Sequence, residues 1–173
     1  MGLIISFMQA VVFFFIFLSF SFPAAADEPY AFKDIELGSH ITKVYGEGSF
    51  RCAKTNSPFA DKSCRLADAH SGEESIGGIP VSNVSLYYVK DNLTSIVITF
   101  AGKHFNTVRD AIKKRYGAYR HYTTETYVDG IGELFEGYVY EWDNKVSMID
   151  AIQHFSRRNN SAVLYQLSSY FTR

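Results

Sequence analysis

The stretch that decides the fold is SLYYVKDNLTSIVITF, residues 85–100. Residues 85–90 and 93–100 are rich in the β-branched and aromatic side chains that strands favour, and apolar residues alternate with others toward the end of the second run. Asp91 and Asn92 lie between the two runs, and both residue types are typical of tight turns. The stretch therefore predicts two antiparallel strands joined as a β-hairpin.

Shortly after this hairpin, residues 105–116 predict an amphipathic helix. Phe105, Val108 and Ile112 recur at helical spacing and form one apolar stripe. Three consecutive cations occupy the last turn, where positive charge complements the helix dipole, and Gly117 follows as a C-cap.

The remaining segments complete the predicted fold class. A shorter helix is predicted over residues 39–46, with Ser39 as its N-cap and Gly46 at its end. Further strands, separated by turns that contain Gly or Asn, are predicted over residues 119–128, 134–142, 146–155 and 162–171. We therefore expect an α+β domain: an antiparallel β-sheet of about four to six strands with two or so short helices packed on one face, and one disulfide.

The first 26 residues predict a secretory signal peptide. They contain no Asp, Glu, Lys or Arg; residues 3–22 are mostly apolar, and Pro23 precedes Ala24-Ala25-Ala26. An apolar stretch, a helix breaker and an A-x-A site form the pattern of a cleaved leader. We expect cleavage after Ala26, a single domain over residues 27–173, and a periplasmic or secreted protein with no stable membrane insertion after cleavage. The apolar run is also about as long as a membrane span, so an uncleaved anchor is the alternative.

The two cysteines, Cys52 and Cys64, fit an exported protein. In an oxidising compartment the default for such a pair is one disulfide, which here would staple the intervening segment, predicted as a loop. A redox-active or nucleophilic cysteine is the alternative, because Arg51 and Arg65 flank the pair and can lower a thiol pKa, although no C-x-x-C motif is present.

Charge and motifs exclude several classes of function. The chain has 17 Lys+Arg and 18 Asp+Glu, so it lacks the basic excess of a nucleic-acid-binding protein, and two cysteines cannot supply the four thiolates of an all-cysteine zinc site. It contains no G-x-S-x-G and no phosphate-binding P-loop. His70 and Glu73 are interpreted as a solvated loop rather than as metal ligands. We predict no cofactor, no metal site and no catalytic residue.

Tyrosine is the most suggestive residue type, with 12 copies. Tyr138, Tyr140 and Trp142 share one strand face by parity. Such a face is packed in a core, binds a protein partner or stacks on sugars. If the three rings faced solvent, Glu141 would point inward at a desolvation cost, so the core interpretation is favoured. The candidate partner-binding residues are Tyr119, Tyr127, Tyr138, Tyr140 and Trp142.

The order of these elements also resembles a known group of proteins. A glycine before a short capped helix at residues 38–46, a strand–turn–strand, and a helix that ends in Lys114-Arg115-Tyr116-Gly117 are similar to small secreted bacterial envelope proteins. These are the SmpA/OmlA outer-membrane-assembly family and proteins with the fold of β-lactamase inhibitor protein. The resemblance covers residues 35–117 and implies an envelope protein that binds other proteins.

These observations lead to three functional hypotheses. The first is an exported, non-enzymatic module that binds another protein of the cell envelope, such as an inhibitor, immunity or envelope-accessory protein. The second is a small secreted hydrolase with Glu/His chemistry, which requires His121 or His154 within hydrogen-bond reach of a carboxylate. The third is a membrane-anchored sensor domain, which requires that residues 3–22 are retained.

Overall fold

The computed structural model describes residues 28–45, 49–67, 74–128, 132–156 and 158–171. The predicted signal peptide and the loop with His70 and Glu73 lie outside the described residues.

Strands account for most of this structure. The strands are β1 (Ala31–Phe32), β2 (Ile35–Glu36), β3 (Phe50–Lys54), β4 (Lys62–Leu66), β5 (Ser75–Ile76), β6 (Ile79–Pro80), β7 (Asn83–Val89), β8 (Asn92–Ala101), β9 (His121–Val128), β10 (Leu134–Asp143), β11 (Ser147–Ile152) and β12 (Asn160–Leu167). The α-helices are α1 (Thr42–Tyr45) and α2 (Phe105–Tyr116), and short 3-10 turns occupy Gly102–His104 and Ser168–Tyr170. No helix in the described part of the chain is long and apolar enough to cross a membrane.

Eight strands form one antiparallel sheet in the order β3-β4-β7-β8-β12-β11-β10-β9. Two small hairpins, β1–β2 and β5–β6, lie outside this sheet. The sheet therefore has β3 at one edge and β9 at the other.

The β7–β8 hairpin confirms the strand pair predicted from residues 85–100, with its turn one residue earlier than expected. Lys90 and Asp91, with φ angles of 49° and 64°, form the two-residue connection in the left-handed conformation that tight hairpins require. The carboxylate of Asp61 accepts a hydrogen bond from the backbone N–H of Lys90 at 2.8 Å, which ties this turn to the neighbouring β3–β4 segment.

The core lies on one face of the sheet, beneath α2. The central strands contribute alternate residues to this face, and the strand register places these residues side by side. The following are fully buried: Val84, Leu86, Ile96, Ile98, Ile149 and Val163. Phe105, Val108 and Ile112 of α2 are also buried, as the helical spacing predicts. Helix α2 has the predicted bounds, and Gly117 ends it with a φ of 88°.

The predicted fold class, an α+β domain with about four to six strands and two or so short helices, is wrong. The protein is mostly β, with an eight-stranded sheet and a single helix longer than one turn among the described residues. The helix expected at residues 39–46 shrinks to Thr42–Tyr45, because the backbone before it bonds to β8 instead. Gly38 donates to the carbonyl of Leu93 at 2.7 Å, and Leu93 donates to the carbonyl of Ser39 at 2.9 Å.

The segment between the cysteines supplies two of the strands that the sequence missed. Cys52 and Cys64 lie directly opposite each other in β3 and β4, with Cα atoms 3.9 Å apart, and form the predicted disulfide. The expectation of a loop between them was too simple, because β3 continues past Cys52 to Lys54, β4 begins at Lys62 before Cys64, and β4 also pairs with β7. Each strand has five residues and alternates over only part of its length, which is too short a pattern to be recognised as a strand from the sequence alone.

Candidate functional site

Strands β9 and β10 extend beyond the rest of the sheet as a two-stranded ribbon. The β10–β11 ladder begins at Val139, whereas residues 134–138 of β10 pair only with residues 124–128 of β9. The last backbone link to the β11 side is the N–H of Gln153, which donates to the carbonyl of Tyr138 at 2.8 Å. We call residues 124–128 and 134–138 the β-arm.

One row of aromatic side chains runs from the core to this arm along β10. Trp142 is 1% exposed, Tyr140 is half-buried and Tyr138 is 40% exposed. The gradient follows from the position of α2: Phe105 packs against Tyr140 with ring centroids 6.0 Å apart, and the Arg109 guanidinium lies 5.2 Å from the Tyr140 ring centroid. The same face of the sheet is therefore core at one end and surface at the other.

Trp142 anchors the buried end of this row. Its indole Nε1 donates to the carbonyl of Gly117 at 2.9 Å, which joins β10 to the end of α2. Tyr119 packs edge-on against both Trp142 and Tyr140, with centroid distances of 6.1 and 4.9 Å. Buried indole and phenol rings of this kind stabilise a core, and Trp142 is not accessible to a partner.

Four exposed apolar side chains lie on the continuation of this face. The register pairs Leu134 with Val128 and Tyr140 with Tyr122, and Tyr138 shares their face. Tyr122 is 53% exposed, Val128 65% and Leu134 72%. We call Tyr122, Val128, Leu134 and Tyr138 the arm patch. Large apolar side chains gathered on one face of a protruding ribbon are typical of an interaction surface.

The opposite face of the arm is packed against the loop after β11. Tyr127 and Phe135 stack with centroids 5.5 Å apart, and the His154 ring meets Phe135 edge-on at 5.0 Å. Gly137 leaves room for these rings, because a Cβ there would lie 2.9 Å from both His154 Cδ2 and Tyr127 Cε2. The arm is thus supported from one side and open on the other.

Polar contacts hold this supporting cluster in place. The Tyr127 hydroxyl donates to the carboxylate of Glu125 at 2.6 Å. Desolvation raises the pKa of Tyr127 above its usual range, and the Glu125 carboxylate raises this pKa further. Arg158 pairs with Glu133 at 3.3 Å, and its guanidinium lies 5.3 Å from the Phe135 ring centroid. These contacts fix the arm on its packed side.

Strand β9 also presents an open edge. It is the last strand of the sheet, and seven of its eight residues are exposed. Within the described ranges no strand pairs with its outer side. The outward N–H and C=O groups of such an edge can form a ladder with an added strand.

The hydrolase hypothesis receives no geometric support from its two histidines. His121 is exposed on the edge strand, and His154 Nδ1 hydrogen-bonds the backbone carbonyl of Arg158. Neither ring contacts a carboxylate among the residues that the structure describes. The same residues contain no group of three or more His, Cys, Asp or Glu side chains placed to hold a metal ion.

The structure separates the five candidate partner-binding residues into three environments. Trp142 is buried, Tyr119 and Tyr140 are half-buried beside α2, and Tyr127 lies on the packed face of the arm, so that only Tyr138 belongs to the exposed patch. Sequence reasoning missed Tyr122, Val128 and Leu134. The signal that could have found them is the hairpin register, which carries the parity of Tyr138 across to β9.

Comparisons with protein-family models, with curated proteins and with solved structures found no match to this chain.

Proposed function

We propose that this protein is an exported, non-enzymatic module that binds another protein through the β-arm. The observation that carries the proposal is the arm patch beside an open strand edge. An added strand would complete the ladder of β9, and its side chains would cover the patch. This is the recognition mode in which the backbone supplies affinity and alternate side chains supply specificity.

The chemistry of the face indicates the kind of segment that fits. The apolar side chains Val128 and Leu134 lie at one end of the arm, Tyr138 lies at the other, and Tyr122 follows on the same face of β9 just outside the arm. Glu136 lies between them on the same face, exposed and without an ion pair among the described residues. We propose an extended partner segment with apolar side chains on either side of a basic residue.

Two further observations support the proposal. The signal-peptide pattern and the Cys52–Cys64 disulfide are typical of proteins that work outside the cytosol. The resemblance of residues 35–117 to the SmpA/OmlA family and to β-lactamase-inhibitor-like proteins, whose members mostly bind other proteins, points the same way.

A pull-down with matched variants tests the site. The chain without residues 1–26 is immobilised and exposed to periplasmic extract at micromolar concentration. A protein retained by the wild type should be lost with Tyr122→Ser/Tyr138→Ser and kept with Tyr170→Ser, because Tyr170 is similarly exposed at 45% but lies outside the arm. Glu136→Gln should weaken binding of the same protein, but by less than Tyr122→Ser/Tyr138→Ser does.

Three results would count against this proposal. Retention that is equal for the arm variant and the wild type would remove the arm as the site, and recovery of no protein would oppose a protein-binding function. A stable dimer of this chain in sedimentation equilibrium, abolished by the arm variant, would assign the edge to self-association.

N-terminal sequencing of the protein recovered from cells tests export separately. A mature chain that begins at Asp27 is the expected result. A chain that keeps residues 3–22 would support the membrane-anchored sensor instead.

A further inference from the structure

A cleft of about 430 Å³ opens on the core side of the molecule, away from the β-arm. It lies where β1, the turn of the β5–β6 hairpin and the second half of α2 meet above β12. Its floor and walls are mainly apolar and include Phe32, Ile76, Ile112 and Tyr165. The volume falls within the range of small-molecule sites, which are typically about 300–1,000 Å³.

The walls of this cleft are held by specific contacts. The Tyr116 hydroxyl donates to the backbone carbonyl of Ala31 at 2.7 Å, and Tyr30 packs edge-on against Tyr116 with centroids 4.8 Å apart. On the other side, Gly77 approaches α2 so closely that a Cβ would lie 2.6 Å from Ala111 Cβ. The cleft is therefore a built feature of the packing between α2 and the two small hairpins.

A buried phenol borders the cleft. Tyr165 is 3% exposed, and no described group hydrogen-bonds its hydroxyl. Burial raises the pKa of Tyr165, so its hydroxyl stays protonated, and Tyr165 lines the same cleft as Tyr116 and Arg115. Because the Tyr165 hydroxyl is not engaged by a described protein group, it can donate a hydrogen bond to a ligand in the cleft.

The charged side chains that line the cleft are all cationic. Lys33, Lys114 and Arg115 line it; Lys33 is paired with Glu74, whereas Lys114 and Arg115 have no ion pair among the described residues. The Arg115 guanidinium lies 5.1 Å from the Tyr116 ring centroid. Cations at a helix C-terminus complement the dipole, but that role does not account for an apolar cleft and a buried phenol beside them.

We propose that this cleft binds an amphipathic carboxylate of the fatty-acid type. The carboxylate accepts hydrogen bonds from the Arg115 guanidinium and from the Tyr165 hydroxyl, and Lys114 adds positive charge. The alkyl chain lies along Phe32 and Ile76. Charge-assisted hydrogen bonds at one end and burial of an apolar chain along the floor are the two terms that would supply the affinity. This site is independent of the protein-binding arm.

Calorimetric titration of the disulfide-intact chain without residues 1–26 with dodecanoate, below its micellar concentration, tests the proposal. One dodecanoate should bind per chain, and dodecyltrimethylammonium, with the same alkyl chain and the opposite charge, should bind much more weakly. Arg115→Gln should weaken dodecanoate binding by about tenfold or more, because it removes a charge-assisted contact. Tyr165→Phe should weaken it several-fold, and Lys113→Gln is the matched control, since Lys113 is exposed and does not line the cleft.

Several outcomes would overturn the proposal. One is the absence of binding heat with dodecanoate, and another is equal affinity for dodecanoate and dodecyltrimethylammonium. A third is the binding of several dodecanoate molecules per chain with no effect of the variants, and a fourth is equal weakening of dodecanoate binding by Lys113→Gln and Arg115→Gln. Circular dichroism melts establish that each variant is folded. If Tyr165→Phe does not fold, Arg115→Gln still decides the matter, because Arg115 is exposed on α2.

Discussion

Replacing Gly137 by alanine should destabilise the cluster that supports the β-arm. A Cβ at this position would lie 2.9 Å from His154 Cδ2 and from Tyr127 Cε2, and 3.1 Å from the carbonyl oxygen of Gln153. Carbon atoms in favourable contact lie about 3.5–4.0 Å apart, so both rings must move. The hydrogen bonds from Tyr127 to Glu125 and from His154 to a backbone carbonyl oppose that movement.

The expected magnitude combines two opposing effects. Overpacking typically costs about 1–3 kcal/mol, and these half-buried rings can tilt toward solvent, which places the cost at about 1.5–2 kcal/mol. Gly→Ala also stabilises by about 0.4–1 kcal/mol through the unfolded chain wherever the native backbone tolerates it. The free energy of unfolding should therefore fall by about 1 kcal/mol, which lowers the Tm by about 2–4 °C for a chain of this size.

Urea denaturation followed by circular dichroism measures this change, and a double-mutant cycle assigns its cause. His154→Ala removes one of the two rings. The destabilisation caused by Gly137→Ala should therefore be smaller in the His154→Ala background than in the wild type, by at least about 0.5 kcal/mol. A stabilised Gly137→Ala variant would refute the reasoning, because that is the result expected without the steric contact. Strictly additive effects of Gly137→Ala and His154→Ala would show that the imidazole is not the obstacle.

Three other perturbations follow from the same structure. Removal of the disulfide with Cys52→Ala/Cys64→Ala should lower the free energy of unfolding by about 3 kcal/mol in urea denaturation, the chain-entropy value for so short a loop; an unchanged midpoint would contradict this. Trp142→Phe should cost about 2 kcal/mol in the same assay, because it leaves a cavity and removes the indole hydrogen bond, and a loss below about 0.5 kcal/mol would mean that the core repacks. The hydrogen bond from Lys62 lowers the pKa of Asp91, so the stability from this pair is present above the unfolded pKa of about 4 and is lost as the pH falls through the lower folded value. The difference in urea midpoint between wild type and Asp91→Asn should therefore narrow below about pH 4, and a difference that stays constant with pH would argue against the assignment.

The predictions that held depend on local patterns. Residues 105–116 carry a helical stripe that needs no partner to be recognised, and the β7–β8 runs carry their own β-propensity and turn. The fold class was wrong because the patterns of β3 and β4 are too short to be recognised and the segment at Gly38–Ser39 has none, so these segments were assigned only through their pairing with the strands beside them.

The candidate site was predictable only in part. Parity placed Tyr138, Tyr140 and Trp142 on one face, but their exposure depends on which part of β10 is covered by α2, and no feature of β10 itself encodes that position. The cleft was not foreseen at all, since its lining comes from segments as distant as Phe32 and Tyr165.

The sequence by itself determined the helix at residues 105–116, most of the sheet's strands and the cysteine pair, because each rests on spacing among neighbouring residues. The export signal of residues 1–26 stays a prediction. Only the tertiary structure decided which tyrosines are core and which are surface, how far the β-arm projects, and where a cationic cleft forms. Those features depend on contacts between residues far apart in the chain, and spacing along one sequence carries no information about which distant segments share the same space.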